Sequence, residues 1–322
     1  MWSAWTVAVV VIVACSTFAV RVIAPAVATG ASPWGYLIAI PLVYFGVLAI
    51  FVALYFTLSW IYRAPRPPGA RIGPLATVRL VAREYWTIAG DMFRILLYRV
   101  LVPDPTPAPA RLPVVLVHGV LCNAGLWSTF VRWLRRADIG PVYAPSYGPP
   151  LGSIDLFAGQ VNACIERVCA ETGAAQAFVV THSMGGLVLL AYLRRYGATR
   201  VRRLVTLAAP FRGSVHAWGF FGTSLSQLRP DSAWLTALDV AAPREAPPIV
   251  SIWSRHDSMV APQTSSELPG ATNIALTGIG HNTMLHDRLV FDLVAGEYRA
   301  ARDASATSES PASAARTPSA LP

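Results

Sequence analysis

An α/β domain, with a mostly parallel sheet flanked by helices and preceded by two N-terminal transmembrane helices, is the fold class this sequence predicts. Short, continuously apolar runs at 114–117, 177–181, 204–208, 249–253 and 273–276 alternate with helical stretches at 127–137, 154–172, 185–196 and 283–299. Strands that lack polar alternation are buried on both faces, and their alternation with helices implies a parallel sheet covered on both sides. The first 62 residues hold a single charged side chain, Arg21, and two apolar runs, 2–20 and 34–62. Each is long enough to cross a hydrocarbon core, which takes about 20 helical residues. Over the whole chain only 13% of residues are charged, about half the usual soluble share, so part of the chain is expected in lipid.

From the N-terminus, a turn containing Pro, Gly and Ser, residues 24–33, separates the two apolar runs. Gly35, Pro41 and Gly46 fall inside the second, where transmembrane helices tolerate them. Trp34, Trp60 and Tyr62 near its ends suit an interfacial aromatic belt. A cleaved signal peptide is the rival reading of the first run, with Ala26-Val27-Ala28 as the cleavage site; no Lys or Arg precedes the apolar stretch, which argues against it. Arg63, Arg66, Arg71, Arg79 and Arg83 follow the second run, whereas the intervening loop has only Arg21. The positive-inside rule therefore places the C-terminal side in the cytoplasm, which for a bacterial protein means a multi-pass inner-membrane location.

Residues 63–111 read as a linker. Within it, 75–102 form a helix that is both apolar and basic, either lying on the membrane surface or packed against the following domain. Residues 104–110 alternate Pro with small residues, a second linker. Residues 112–299 behave as the globular domain. From about Ala300 the chain is rich in Ala, Ser, Pro and Thr and reads as a disordered tail. No internal repeat is visible.

The formal charge is +9, all of it from Arg on the basic side. This balance suits an anionic membrane surface. Nucleic acid is disfavoured as a partner, because no basic run with interleaved aromatics occurs. Cys15, Cys122, Cys164 and Cys169 lack metal-ligand spacing and read as small buried residues rather than a disulfide framework. No motif implies a metal or organic cofactor, and oligomeric state is unreadable.

The sharpest chemical signal is Val179-Val180-Thr181-His182-Ser183-Met184-Gly185-Gly186. An apolar strand runs into a serine, then small residues, then a new helix, the context of a nucleophile elbow. Thr181 stands where the motif has its first glycine, so local adjustment is expected. Upstream, Val114-Val115-Leu116-Val117-His118-Gly119-Val120 ends a buried strand in His-Gly. The N–H groups of Val120 and Met184 are the expected oxyanion hole. An acid and a histidine must follow the serine in that order. Among the intervening carboxylates only Asp257 lies just past a strongly apolar strand. His281, in a Gly-Ile-Gly-His-Asn loop, is the histidine placed to reach Ser183. His216 precedes the acid, His256 adjoins it, and His286 falls inside the next helix. Ser183, His281 and Asp257 then form a nucleophile, base and orienting acid for acyl transfer.

The globular part resembles the bacterial lipases and esterases of the α/β-hydrolase superfamily, the triacylglycerol-lipase-like branch, over about residues 112–296. His118-Gly119 resembles that family's oxyanion motif, and His182-Ser183-Met184-Gly185-Gly186 its elbow. Ala208 to Ser214 is similar to its post-elbow strand and loop, Ser254 to Pro262 to its acid loop, and Gly280-His281 to its histidine loop. The resemblance implies an α/β-hydrolase fold and a lipid or ester substrate; the first 110 residues depart from the family's secreted pattern. Residues 215–238, with Trp218, Phe220, Phe221 and Trp234, are expected to form a lid or acyl pocket in which Trp218 and Phe221 touch substrate; a packed excursion with core aromatics is the alternative. A membrane-anchored carboxylic-ester hydrolase is the leading functional reading. An acyltransferase or thioesterase with the same triad, and a catalytically silent interaction protein, are the alternatives.

Overall fold

Six strands join in one all-parallel sheet: β1 (Val114–Val117), β2 (Val142–Tyr143), β3 (Ala177–His182), β4 (Val201–Leu207), β5 (Ile249–Ser254) and β6 (Thr272–Leu276). Their spatial order is β2-β1-β3-β4-β5-β6. The structure is a computed structural model and describes Val9, Val13 and residues 16–308, apart from Val240 and Arg244. Most of the expected first apolar run, and residues 309–322 of the expected tail, lie outside the described residues.

Side chains alternate across each strand, and the two faces have separate cores. Val115, Val117, Val179 and Leu204 pack against α4 (Ile154–Thr172) and α5 (Gly185–Tyr196). Val114, Leu116, Phe178, Val180 and Val205 pack against α3 (Ser128–Arg136) and α6 (Arg288–Ser308). Both faces of β1, β3 and β5 are buried, which is why these segments read as unbroken apolar runs. The sheet edge formed by β6 is largely exposed and carries Thr272 and Asn273. Helix α4 begins where the Ser153 side chain accepts from the Leu156 N–H at 3.1 Å and ends at Gly173, φ +71°.

Strand β2 was not read from the sequence. It has two residues, too few for any periodicity, and is placed by pairing with β1. The final helix also runs further than expected, through Ser308 rather than stopping near Ala300. Ala301 is buried against the second core, and alanine is the strongest helix former.

Ahead of the sheet stand α1 (Pro33–Ile61) and α2 (Pro74–Leu96). The interruption before α1 is shorter than expected. A short helix, Ala24–Ala28, continues through Pro25, which sits at a first-turn position where no N–H is needed. The chain then turns at Gly30, φ +87°. Helix α1 spans 29 residues, about 44 Å at 1.5 Å per residue. Among the described residues it is the one helix long and apolar enough to cross a membrane, judged by length and composition. Helix α2 packs on both neighbours. Leu48 and Val52 of α1 meet Ile88 and Ala89 of α2. On its other side, Asn123 Nδ2 donates to the Ile95 carbonyl at 2.9 Å. Of the two placements left open for this segment, packing against the domain is the one observed, while Trp86 and Phe93 remain exposed.

Leu116 is fully buried and Leu289 is half exposed. Leu116→Ala is expected to cost roughly 2–5 kcal/mol, and Leu289→Ala no more than about 0.5 kcal/mol, as read from denaturant unfolding of the two variants.

Candidate active site

In a parallel sheet all carboxyl ends lie along one edge, and a crevice opens where neighbouring connections diverge. Here β1 lies between β2 and β3. The carboxyl ends of β1, β3, β5 and β6 lead into His118-Gly119-Val120, Ser183, Asp257 and the loop bearing His281, respectively.

Ser183 has φ +57°, a left-handed backbone that non-glycine residues adopt at a cost of about 1–3 kcal/mol. Its N–H is fixed by the Leu207 carbonyl at 2.8 Å, and its carbonyl accepts from the Gly186 N–H at 3.0 Å. The two following glycines allow close approach. A Cβ on Gly185 would lie 2.6 Å from the Val117 carbonyl oxygen, and one on Gly186 would collide with the Ala209 methyl. Thr181, which stands where the motif has its first glycine, is fully buried, and a Cβ on Gly186 would meet its hydroxyl only at the ordinary contact distance of 3.5 Å.

The loop after β1 lies directly against the serine: a Cβ on Gly119 would be 2.9 Å from Ser183 Cβ and 3.3 Å from its Oγ. His118 shapes that loop. Its Nδ1 meets the Gly119 carbonyl at 2.9 Å and Nε2 the Tyr147 N–H at 3.4 Å, an arrangement that assigns the proton to Nδ1. Its ring stacks on Tyr147 at 3.9 Å, and the Tyr147 hydroxyl donates to the His118 carbonyl. Burial lowers the His118 pKa to about 4, against the opposing hydrogen bond to Gly119, so it stays neutral. Val120 and Met184 line one narrow crevice with Leu151, Phe157 and Ser224. Among the described residues, neither the Val120 nor the Met184 N–H donates to an acceptor.

His281 and Asp257 form a buried pair. The imidazole Nδ1 donates to the carboxylate, at 3.0 Å from Oδ1 and 2.9 Å from Oδ2. Oδ1 also accepts from the N–H groups of Met259 and Val260, at 2.7 and 2.8 Å. These bonds fix the carboxylate and leave Nε2 as the histidine's outward nitrogen. Burial alone would lower the His281 pKa. The Asp257 charge, its hydrogen bonds and the charge of Glu84 outweigh that and hold it above 6.5. His182, next to the serine, brings the histidine loop to the elbow through a 3.1 Å contact of its Nε2 with the His281 carbonyl. Among the described contacts the Ser183 hydroxyl makes no hydrogen bond to His281, a bond that often tightens only with substrate present.

The remaining histidines are held by contacts elsewhere. His256 accepts from the Gly278 N–H at 3.2 Å, and burial lowers its pKa to about 4. His286 does not lie inside a long helix as expected. It ends a 3-10 turn, Thr283–His286, and reaches Asp91 at 3.2 Å. His216 contacts the Tyr55 carbonyl of α1 at 3.2 Å and stacks on the Tyr55 ring at 4.7 Å. Trp218 and Phe221 stand apart from the crevice at Val120 and Met184. Phe221 is 90% exposed, and Trp218 lies under the Arg229 guanidinium at 4.8 Å. Phe220 approaches Tyr55 at 6.4 Å, so this aromatic segment borders α1. A separate cleft of about 930 Å³ lies between the end of α1 and the start of α2, lined by Trp60, Arg63, Arg66, Arg71, His256 and Asp257. No group of three or more His, Cys, Asp or Glu side chains suited to a metal occurs among the described residues.

Two acids escaped the sequence reading. Glu84 and Asp91 lie on the buried stripe of α2 with Leu80, Ile88 and Ile95. Carboxylates at core-facing positions of an otherwise apolar stripe are the signal that marks them.

A model described as the Alpha/beta hydrolase family matches residues 114–317. The lipase BlEst2 of Bacillus licheniformis, in its mature form, is similar with a TM-score of 0.53 and 17% identity, over 61% of this chain and 95% of that one. Lipase B of Aspergillus fumigatus is similar with a TM-score of 0.50 and 22% identity, over 56% of this chain and 51% of that one. At these identities the likeness shows the fold. The family match begins at β1, so α1 and α2 lie outside it.

With His281 as base, activity requires the neutral imidazole. The acid limb of kcat/KM against pH is therefore expected above pH 6.5, the ordinary histidine value, with activity lost as pH falls through the raised pKa. Asp257→Asn removes the charge that raises it. The limb should move to lower pH and kcat should fall by on the order of 10⁴-fold, measured with a soluble ester.

Proposed function

The chain belongs to the alpha/beta hydrolase family, and we propose that it is a membrane-anchored serine hydrolase that cleaves carboxylic esters through Ser183, His281 and Asp257. The observation that carries this reading is the meeting, along one sheet edge, of a strained serine, a Gly119 turn in contact with it, and a buried His281–Asp257 pair. Each has its own conformational or desolvation cost, which a fold without that chemistry has no reason to bear.

In the proposed reaction the Ser183 Oγ attacks the ester carbonyl carbon, and its proton passes to His281 Nε2. Asp257 stabilises the imidazolium. The N–H groups of Val120 and Met184 hold the oxyanion, each worth about 10²–10³ in rate. The C–O bond to the alcohol then breaks and His281 returns the proton to the departing oxygen. Water, deprotonated by His281, attacks the acyl-enzyme, releasing the acid and restoring the serine. The lipases similar in fold support ester hydrolysis as the reaction class.

A lipid ester is favoured by the position of α1. Its C-terminal half contacts the loops around Asp257 and His216, and the exposed Trp218, Phe220 and Phe221 lie beside it. In this reading residues 1–62 anchor the chain by two transmembrane helices, 63–111 connect, and 112–299 carry the reaction. The arginines after α1 support a cytoplasmic side for the domain in this reading. Trp218 and Phe221, exposed beside α1 and apart from the crevice, enter the interface.

Ser183→Ala should abolish labelling by a fluorophosphonate probe and lower kcat by on the order of 10⁶-fold; labelling as strong as wild type would overturn the assignment. Replacing Trp218 and Phe221 together by Ala should lower hydrolysis of long-chain esters in vesicles and leave short soluble p-nitrophenyl esters unchanged. Protease added outside intact spheroplasts should leave the hydrolase domain undigested, and its digestion would reverse the orientation.

A further inference from the structure

We propose that Glu84, on helix α2 and outside the segment matched by the family, is a positioning residue that holds the Asp257 and His281 loops in register with one carboxylate. The inference rests on the Ser183, His281 and Asp257 reading above.

Glu84 is fully buried. Its Oε1 accepts from the Asn282 N–H at 2.8 Å, Asn282 Nδ2 at 3.2 Å and Ser258 Oγ at 3.0 Å. Its Oε2 accepts from the Thr283 N–H at 3.0 Å and Thr283 Oγ1 at 2.7 Å. All five partners donate, which suits a group that only accepts. The partners are placed to matter. Ser258 follows Asp257 in the chain, and Asn282 follows His281. A single side chain from a third element therefore bridges the acid loop and the base loop. Among the described ion pairs Glu84 has no cationic partner, so what it holds is these two loops.

Gly280 explains why the approach is possible. A Cβ there would collide with Glu84 Oε2. The glycine before His281 thus gives access to a carboxylate as well as turning the loop. The same two loops are gripped again on either side. Ser59 of α1 donates to the Ser258 carbonyl at 2.7 Å. Asp91, seven residues beyond Glu84 and so on the same helix face, reaches His286 at the far end of the histidine loop.

Such positioning would act on turnover. A misplacement of about 1 Å costs on the order of 10²-fold, and the Glu84 charge adds to that of Asp257 in favouring the imidazolium. The titratable groups facing His281 are Asp257 after β5, Glu84 from α2, His182 at the end of β3 and His216 after β4. Of these only Asp257 and Glu84 are acids.

The test uses the full chain in detergent, with Ser183→Ala as reference. Glu84→Gln keeps the size but replaces one acceptor oxygen by a donor. Its kcat should fall by on the order of 10²-fold with KM changed less than about threefold, and the acid limb of its pH profile should move to lower pH. Wild-type kcat and an unmoved acid limb, with Ser183→Ala inactive, would overturn the positioning role and leave the hydrolase reading standing. An active Ser183→Ala would overturn the reading itself. Should Glu84→Gln not accumulate as folded protein, Thr283→Val and Ser258→Ala decide. Each removes one of the five bonds and should lower kcat in the same direction; wild-type kcat and pH profile in both would overturn the proposal.

Discussion

A carboxylate taken out of water must have its oxygens filled by donors, or it costs several kcal/mol. That constraint shapes the whole upper edge of this sheet. Asp257 is closed in by the N–H groups of its own loop and by His281. Glu84 is closed in by the backbone and side chains that follow His281 and Asp257. Satisfying the two acids requires the β5 loop, the β6 loop and α2 to be in place together. The loop conformations are therefore outcomes of polar satisfaction, not of apolar packing alone. Asp91 shows the limit of the rule: its Oδ1 meets Arg94 and His286, while Oδ2 has no hydrogen-bond partner.

The elbow obeys a different constraint, that of space. Ser183 takes a left-handed backbone because the turn must be tight enough to project Oγ from the strand end. The strain is borne by close packing of Gly185 on the β1 carbonyls and of Gly186 on Ala209.

The parts of the fold legible in sequence were those governed by local signals. β1, β3 and β5 are buried on both faces and so are continuously apolar, and given the order serine, acid, histidine, the ends of those runs single out Ser183 and Asp257. β2 was illegible because two residues carry no period. The extension of α6 to Ser308 was hidden by a composition that suits a tail and a helix equally. Glu84 was missed for a different reason. Its segment reads as a helix both apolar and basic, and its partners lie nearly two hundred residues away. Periodicity locates Glu84 on the buried stripe, but only the three-dimensional register of that stripe with the His281 loop reveals what the acid meets.

The same contacts bear on what α1 does to the domain. An anchor joined through a flexible linker leaves its cargo free to rotate, and its site samples all directions. Here α1 is tied to the body at several points: Ser59 to Ser258, Gln263 to the Ser59 carbonyl, His216 to the Tyr55 carbonyl, and Leu48 and Val52 into α2. Each tie lands on α2 or on a loop at the carboxyl edge of the sheet. Through these ties the domain and α1 share one orientation. The side chains that fasten the helix are also neighbours of the acid and base loops. The position of α1 and α2 and the geometry of these loops are thus mechanically linked, although both helices lie outside the segment matched by the family.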